Sequence, residues 1–332
     1  MKMGRRFVIA TLLLLLLWFV YGHQKAGILR AQNTSAKTLL PSPGAGWVLD
    51  RADTDSAVSQ AKLAFTTIDV PGADTTTVFG INKTGDMVGT YTYTYGGPQH
   101  GFLLSGSNLT YIDYPGAYAT AVFGINDSRQ IVGYAAFDQG LTEVGFVYRN
   151  GTFRPIQDGT NSATVAWGIN NGGWIVGGTG TVFDTKGFEV RNGQFKPINF
   201  PESGNCSNYV YGFATGVNNL GAVVGYTASG VNNCGYLYQN GKFLNVGFPG
   251  STQTEALGVN DTGVIVGFYD EGSYAYAYAV KNGKYLSFAY PGAVETYADG
   301  INASGQVVGG YSLDYYTSHG FVTSPVTASA FR

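Results

Sequence analysis

The sequence predicts an all-β fold: a six-bladed β-propeller of four-stranded blades, closed by an N-terminal strand that completes the last blade. Three observations predict it. A short motif returns six times at blade-sized spacing, hairpin-turn chemistry separates short apolar segments throughout, and the two ends of the repeat region complement one another. The alternative with a similar repeat signature is a β-solenoid.

The chain opens with Lys2, Arg5 and Arg6 ahead of a fifteen-residue apolar run, residues 7–21. Such a run is short for a membrane span, which needs about 20 residues, and has the flanks of a secretory signal. Residues 1–31 are therefore expected to be a signal peptide, or an N-terminal anchor if uncleaved. Their removal takes away five basic residues and no acid, moving the net charge from −2 to −7. An exported domain this acidic, with no Lys/Arg cluster, excludes the electrostatics of nucleic-acid binding. Residues 32–63 carry no repeat and are rich in Thr, Ser, Pro, Gly and Asp, which reads as a linker.

The repeats follow, expected over 64–325 with a C-terminal tail at 326–332. Gly80-Ile81-Asn82 leads to Met87-Val88-Gly89, and the pattern recurs from Gly124, Gly168, Gly216, Gly258 and Gly300. These glycines are spaced by 44, 44, 48, 42 and 42 residues. Each repeat divides into four strands, in the first copy 75–81, 87–93, 100–104 and 109–113. The first hairpin carries Asn at its first position and usually Gly three residues on (Asn82 and Gly85), although Arg129 stands there in the second copy. That is a type I turn closed by a residue of positive φ. The hairpin between third and fourth strands is Asn150-Gly151, Asn192-Gly193, Asn240-Gly241 or Asn282-Gly283, and Pro-Gly often ends the fourth strand. Two residues before each motif glycine sit Val78, Val122, Ala166, Ala214, Ala256 and Ala298, small enough for close approach of a neighbouring sheet.

The ends decide between ring and solenoid. The sixth repeat stops after its third strand, whereas residues 65–72 match 109–116, a fourth strand with no repeat of its own. A spare strand at one end and a missing one at the other fit a closed ring.

Gly-Ile-Asn followed by Ile-Val-Gly, then His100-Gly101-Phe102 and His319-Gly320-Phe321, then Ile-Asp-x-Pro-Gly-Ala, resembles the bacterial extracellular HAF-repeat family over about residues 64–323. The resemblance implies export and a repeat-built β domain, and it carries over no catalytic residue. Repeats three to five depart from the His-Gly-Phe piece, reading Lys186-Gly187-Phe188, Cys234-Gly235-Tyr236 and Tyr276-Ala277-Tyr278.

Four strands per blade put the two hairpins on one face. The loops between second and third strands, with the blade-to-blade connections, lie on the other. The hairpin face is uniform in length; the connection face varies, and binding is usually placed on variable loops over a constant scaffold. Tyr93, Tyr95, Asp138, Asp270, Tyr274, Asp314, Tyr315 and Tyr316 lie there. Tyrosines beside carboxylates suit stacking on sugar rings and accepting hydroxyl hydrogen bonds. Cys206 and Cys234 fall on the same face and are expected to form a disulfide. Asp74, Glu255 and Glu295, near the entry to the innermost strand, are candidates for an acidic channel mouth.

The sequence contains no His-Glu-x-x-His, Gly-x-Ser-x-Gly or complete EF-hand loop. No cofactor or metal is expected, and no nucleic-acid partner; membrane contact would come only through the N-terminal segment. The expected function is a secreted or cell-envelope binding module for a glycan or a protein surface. The alternatives are a propeller hydrolase or lyase using the channel-mouth acids, and a purely structural envelope protein.

Overall fold

The structure, a computed structural model, describes residues 47–48, 58–60, 63–138, 142–159, 163–181, 184–200, 211–228 and 232–331. Its strands form six antiparallel blades in chain order. Blade one is Thr75–Ile81, Met87–Thr92, His100–Ser105 and Asn108–Ile112. Blade two is Ala119–Ile125, Ile131–Phe137, Thr142–Arg149 and Thr152–Ile156. Blade three is Ala163–Ile169, Ile175–Thr181, Asp184–Arg191 and Gln194–Pro197. Blade four is Tyr211–Val217, Val223–Ala228, Asn233–Gln239 and Lys242–Asn245. Blade five is Thr254–Val259, Ile265–Glu271, Tyr274–Lys281 and Lys284–Phe288.

Blade six takes three strands from the C-terminal end, Glu295–Ile301, Val307–Ser312 and His319–Thr323. Its fourth is Phe65–Ile68, antiparallel to His319–Thr323 with Phe321 opposite Thr67. Side chains reinforce the closure. His319 Nδ1 lies 3.0 Å from Asp69, and Phe65 packs edge-on against Phe321 and Tyr290, ring centroids 5.3 Å apart in both cases. Within the stretch read as a linker, Trp47–Val48 and Val58–Gln60 add parallel fifth strands to the outer edges of blades four and five. The chain thus laps blades four, five and six in succession before entering blade one. At the other end Val326 and Phe331 are buried beside Val307 and Phe321, so part of the expected tail belongs to the core.

Each inner strand bulges by one residue. Val78 pairs with Gly89 but Gly80 with Val88, and the same slip recurs in all six copies, at Ala298/Gly300 in the last. A bulge re-aims the extra side chain; here it turns Phe79, Phe123, Trp167, Thr215, Leu257 and Asp299 into the central channel. The small residues before the bulge pack on the preceding blade, so that a Cβ on Gly101 would press on Val122 at 3.0 Å and one on Gly320 on Val78 at 2.8 Å.

The repeated motif draws the blades together at the hairpin end of the channel. A Cβ on Gly80 would sit 2.6 Å from the Phe123 carbonyl oxygen and 3.3 Å from the Gly124 Cα, and the same approach runs from copy to copy until Gly300 meets Gly80. Beside the glycines the six asparagines form a closed circuit. Asn82 Nδ2 donates to the Asn126 carbonyl, Asn126 to Asn170, Asn170 to Asn218, Asn218 to Asn260, Asn260 to Asn302, and Asn302 back to Asn82 at 3.2 Å. Each Oδ1 meanwhile accepts backbone N–H groups of its own turn, as Asn218 does from Leu220 and Ala222. One residue further out, Lys83, Asp127, Asn171 and Asn219 donate their backbone N–H to the next copy's side chain. Ala303 offers no acceptor at the equivalent place in the sixth copy.

Candidate functional site

Strand alternation from the bulge outward determines what faces the axis. Counting back from each motif glycine, the residues at one, three and five positions share a face. In blade six these are Asp299, Tyr297 and Glu295; in blade five Glu255 stands three before Gly258. All four line a cavity in the half of the channel nearer the connection face. The cavity measures about 90 Å³. At ~10–15 Å³ per water, it accommodates several waters or a small polar head group.

The wall is two-sided. Blades one to three contribute Phe79, Phe123 and Trp167. Phe123 is stacked on Trp167 at 3.9 Å and meets Phe79 edge-on at 4.9 Å. Blades five and six contribute carboxylates. Glu255 is 3% exposed; its Oε1 accepts from Asn233 Nδ2 at 2.7 Å, while Oε2 has no hydrogen-bond partner. Asp299 Oδ2 likewise has none. Asp270 shares the face of Phe268 on the second strand of blade five, and its charge acts on both Glu255 and Glu295.

Burial dominates the acidity of these groups. It pushes Asp299 up to about 8. It pushes Glu295 up to about 7, with a hydrogen bond to Tyr297 opposing and the Asp270 charge adding. Asp270 itself rises to about 6. Glu255 is raised well above the usual carboxylate range by burial and then by the Asp270 charge, against the Asn233 hydrogen bond. Near neutral pH the cavity therefore presents carboxyls that can both donate and accept.

The two sets of residues singled out in the sequence partly merge here. Glu255 and Glu295 both line the cavity; Asp270 does not, but its charge reaches both of them. Asp74 does not line it either: it lies six positions before Gly80, off the channel-facing register, and is exposed. On the rim, Tyr315 lies within electrostatic reach of Glu295 and Tyr274, and its hydroxyl donates to the Ser273 carbonyl of blade five at 3.1 Å. Tyr316, 68% exposed, faces Tyr95 of blade one with ring centroids 6.2 Å apart. Tyr274 and Tyr93 are exposed too, Tyr93 against Tyr91 and His100. Asp314 is occupied as a turn-former: its Oδ1 accepts from Tyr316 N, Thr317 N and the Thr317 hydroxyl. Asp138 is exposed at the end of blade two's second strand and lines no part of the cavity.

Cys206 lies outside the described residues, and Cys234 is not a free thiol. His100 and His319 occupy matching sites and each pairs through Nδ1 with an aspartate of its own blade, Asp113 and Asp69. Among the described residues no group of three or more His, Cys, Asp or Glu is arranged to hold a metal ion, and no helix is long and apolar enough to cross a membrane. Residues 1–31 lie outside them.

Sequence reasoning missed Asp299 and the aromatic wall. The signal was available: the residue before the motif glycine is Phe, Phe, Trp, Thr, Leu and then Asp. An aspartate inside an otherwise apolar strand is out of place unless it faces something polar.

Fold and cavity define an all-β propeller whose channel carries acids on one wall and aromatics on the other. No family model matches the chain, and no curated protein does. Among solved structures it is similar to a catalytically inactive virginiamycin B lyase from Staphylococcus aureus (11% identity, 79% of this chain and 100% of that one, TM-score 0.44). It is similar also to the β-propeller domain of the trilobed protease from Pyrococcus furiosus (10%, 82% and 97%, 0.49) and to TolB from Acinetobacter baumannii (12%, 71% and 63%, 0.47). At these identities no activity transfers, and the blade assignment rests on the strands themselves.

Proposed function

We propose that this chain is an exported binding module, in keeping with its resemblance to HAF-repeat proteins, and that it receives a glycan or a protein surface on the connection face at the channel mouth. One observation carries the reading. At the hairpin end the strands are drawn together by glycine and asparagine, whereas the other end leads into a cavity with unpartnered carboxyl oxygens and exposed tyrosines on its rim. Carboxyls that accept hydroxyl hydrogen bonds, beside aromatic rings that cover apolar sugar faces, suit saccharide recognition. A glycan array probed with the wild type, Tyr95→Ala and Tyr316→Ala tests it. Binding weakened at least tenfold by either change is expected. An array blank for neutral, acidic and amino glycans alike overturns the glycan form.

A second reading, a hydrolase or lyase, is favoured by the meeting of Glu255 and Glu295 in one cavity, with acidities spread toward neutrality as acid–base chemistry requires. Asp74, which would have been its third carboxylate, is elsewhere. Release of new reducing ends or unsaturated products from a bound glycan, lost in Glu295→Gln, distinguishes catalysis from binding.

A further inference from the structure

The cavity's imbalance of charge narrows the ligand, in a step that rests on the binding reading above. Glu255, Glu295 and Asp299 line it, Asp270 acts on two of them, and no Lys, Arg or His is among the lining residues. Carboxylates withdrawn from water without a countercharge are costly, and surface acids would have cost nothing. Two oxygens are held in place without a partner: Glu255 Oε2, on a side chain anchored through Oε1 to Asn233, and Asp299 Oδ2. These oxygens suit a hydrogen-bond donor, and a donor that carries positive charge would also hold the three lining acids ionised and offset the cost of burying them.

The donor geometry selects among cations. A metal ion needs several oxygens converging at about 2–2.6 Å, and no three acids among the described residues are so arranged. A guanidinium is a planar fork suited to one bidentate carboxylate. An ammonium group has three donors pointing apart, which matches acids spread over Glu255 on blade five and Glu295 and Asp299 on blade six. The opposite wall, Phe79, Phe123 and Trp167, gives its positive charge and adjoining CH groups a ring surface within the same small cavity.

We infer that the channel mouth binds a primary ammonium group, carried on an amino sugar whose ring rests among the rim tyrosines. The sugar rather than a peptide is favoured by the exposed Tyr95–Tyr316 pair and by Tyr274. Tyr316 stands on the loop between the lining residues Ser312 and Ser318, beside a cavity too small for more than the head group.

The test is calorimetric titration of the full chain with a short, fully deacetylated chito-oligosaccharide, with the same oligosaccharide fully N-acetylated, and with tri-lysine. Binding of the deacetylated sugar at least tenfold tighter than either comparator is expected, and a loss of at least tenfold in both Glu255→Gln and Asp299→Asn. Thermal melts of both variants establish that they fold, and the two substitutions act on different blades. Equal affinity for the acetylated and deacetylated forms overturns the ammonium inference while leaving the binding module standing. Tighter binding of tri-lysine overturns the sugar carrier. Deacetylated binding that survives both substitutions overturns the site, and an acidic surface then accounts for the affinity. No sugar binding at all, with a blank array, removes the underlying reading as well.

Discussion

Replacing Asn218 by Asp tests the asparagine circuit with a change of one atom. The side chain is 5% exposed; Oδ1 accepts from Leu220 N at 3.0 Å and Ala222 N at 2.9 Å, and Nδ2 donates to the Asn260 carbonyl at 3.0 Å. Aspartate keeps the acceptor and the turn but loses the donor, leaving the Asn260 oxygen with the Gly263 N–H alone and facing a buried carboxylate oxygen that has no donor. A net hydrogen bond is worth about 1 kcal/mol and an unsatisfied buried carboxylate oxygen another 1–3 kcal/mol, so the loss at neutral pH is about 2–4 kcal/mol. For a domain of this size that lowers Tm by about 4–8 °C. The sign with pH follows from where the proton sits. Burial and the facing carbonyl raise the new carboxyl above its unfolded value near 3.9. Its protonated form donates as the amide did. The deficit relative to wild type is therefore small below about pH 4 and grows as pH rises through the folded pKa. Differential scanning calorimetry of both proteins between pH 4 and 7.5 measures it. A variant that melts with the wild type at pH 7.5, or a deficit the same at both ends of the range, would refute the circuit's role.

Two further perturbations probe other parts of the ring. Burial alone would raise the Asp86 carboxyl, but hydrogen bonds from Arg129 (Nε at 2.8 Å), Ser105, Asn82 and Thr84 outweigh it and hold it well below the usual carboxylate range. A depressed folded pKa contributes stability above the unfolded value near 4 and loses it as pH falls further. Arg129→Ala should therefore lower Tm by about 2–4 °C at pH 7, as for loss of a charge-assisted bond with one exposed partner, and the gap should close toward pH 2. Phe65→Ala removes the ring that the N-terminal strand inserts against Phe288, Tyr290 and Phe321. Since Phe65 is half-buried, a loss of about 2 kcal/mol is expected, below the full-burial range for Phe. Hydrogen exchange should show the first protection lost along His319–Thr323.

The ring was legible because its grammar is local. Gly-x-Asn turns, Asn-Gly hairpins and Pro-Gly stops each carry their own backbone requirement, and a fourth strand at 65–72 with no repeat of its own repeats the pattern of 109–116. What escaped was the hydrogen bonding between copies. Asn82 and its five equivalents read as turn formers, yet a type I turn accepts Asp there equally well. That Asp never occurs in six copies is the trace of an amide donor reaching the next blade. The bulge was invisible because simple alternation puts Val78 and Gly80 on one face, whereas the extra residue pairs them with the successive residues Gly89 and Val88 and so turns them to opposite faces. Asp74, Glu255 and Glu295, which look alike as acids near a strand entry, stand six, three and five positions from their glycines, and alternation brings only the odd ones to the axis. Strands at 47–48 and 58–60 carry no repeat pattern, since they add to edges already formed rather than building a blade.

Closing blade six with residues 65–68 has a kinetic consequence. The partners Thr67 and Phe321 are separated by more than 250 residues, so joining them carries a loop-closure entropy that rises as 3/2 RT ln n, about 5 kcal/mol at that length. Blades one to five contain their own four strands and can form from contacts within about forty residues; the sixth cannot begin to gain stability until both ends are in place. Folding should therefore show a late, slow phase whose amplitude reports His319 and Phe65 but not blade two. The N-terminal segment then has to be held clear of premature pairing while the ring forms, and the exposed outer edges of the finished blades are where it could go astray.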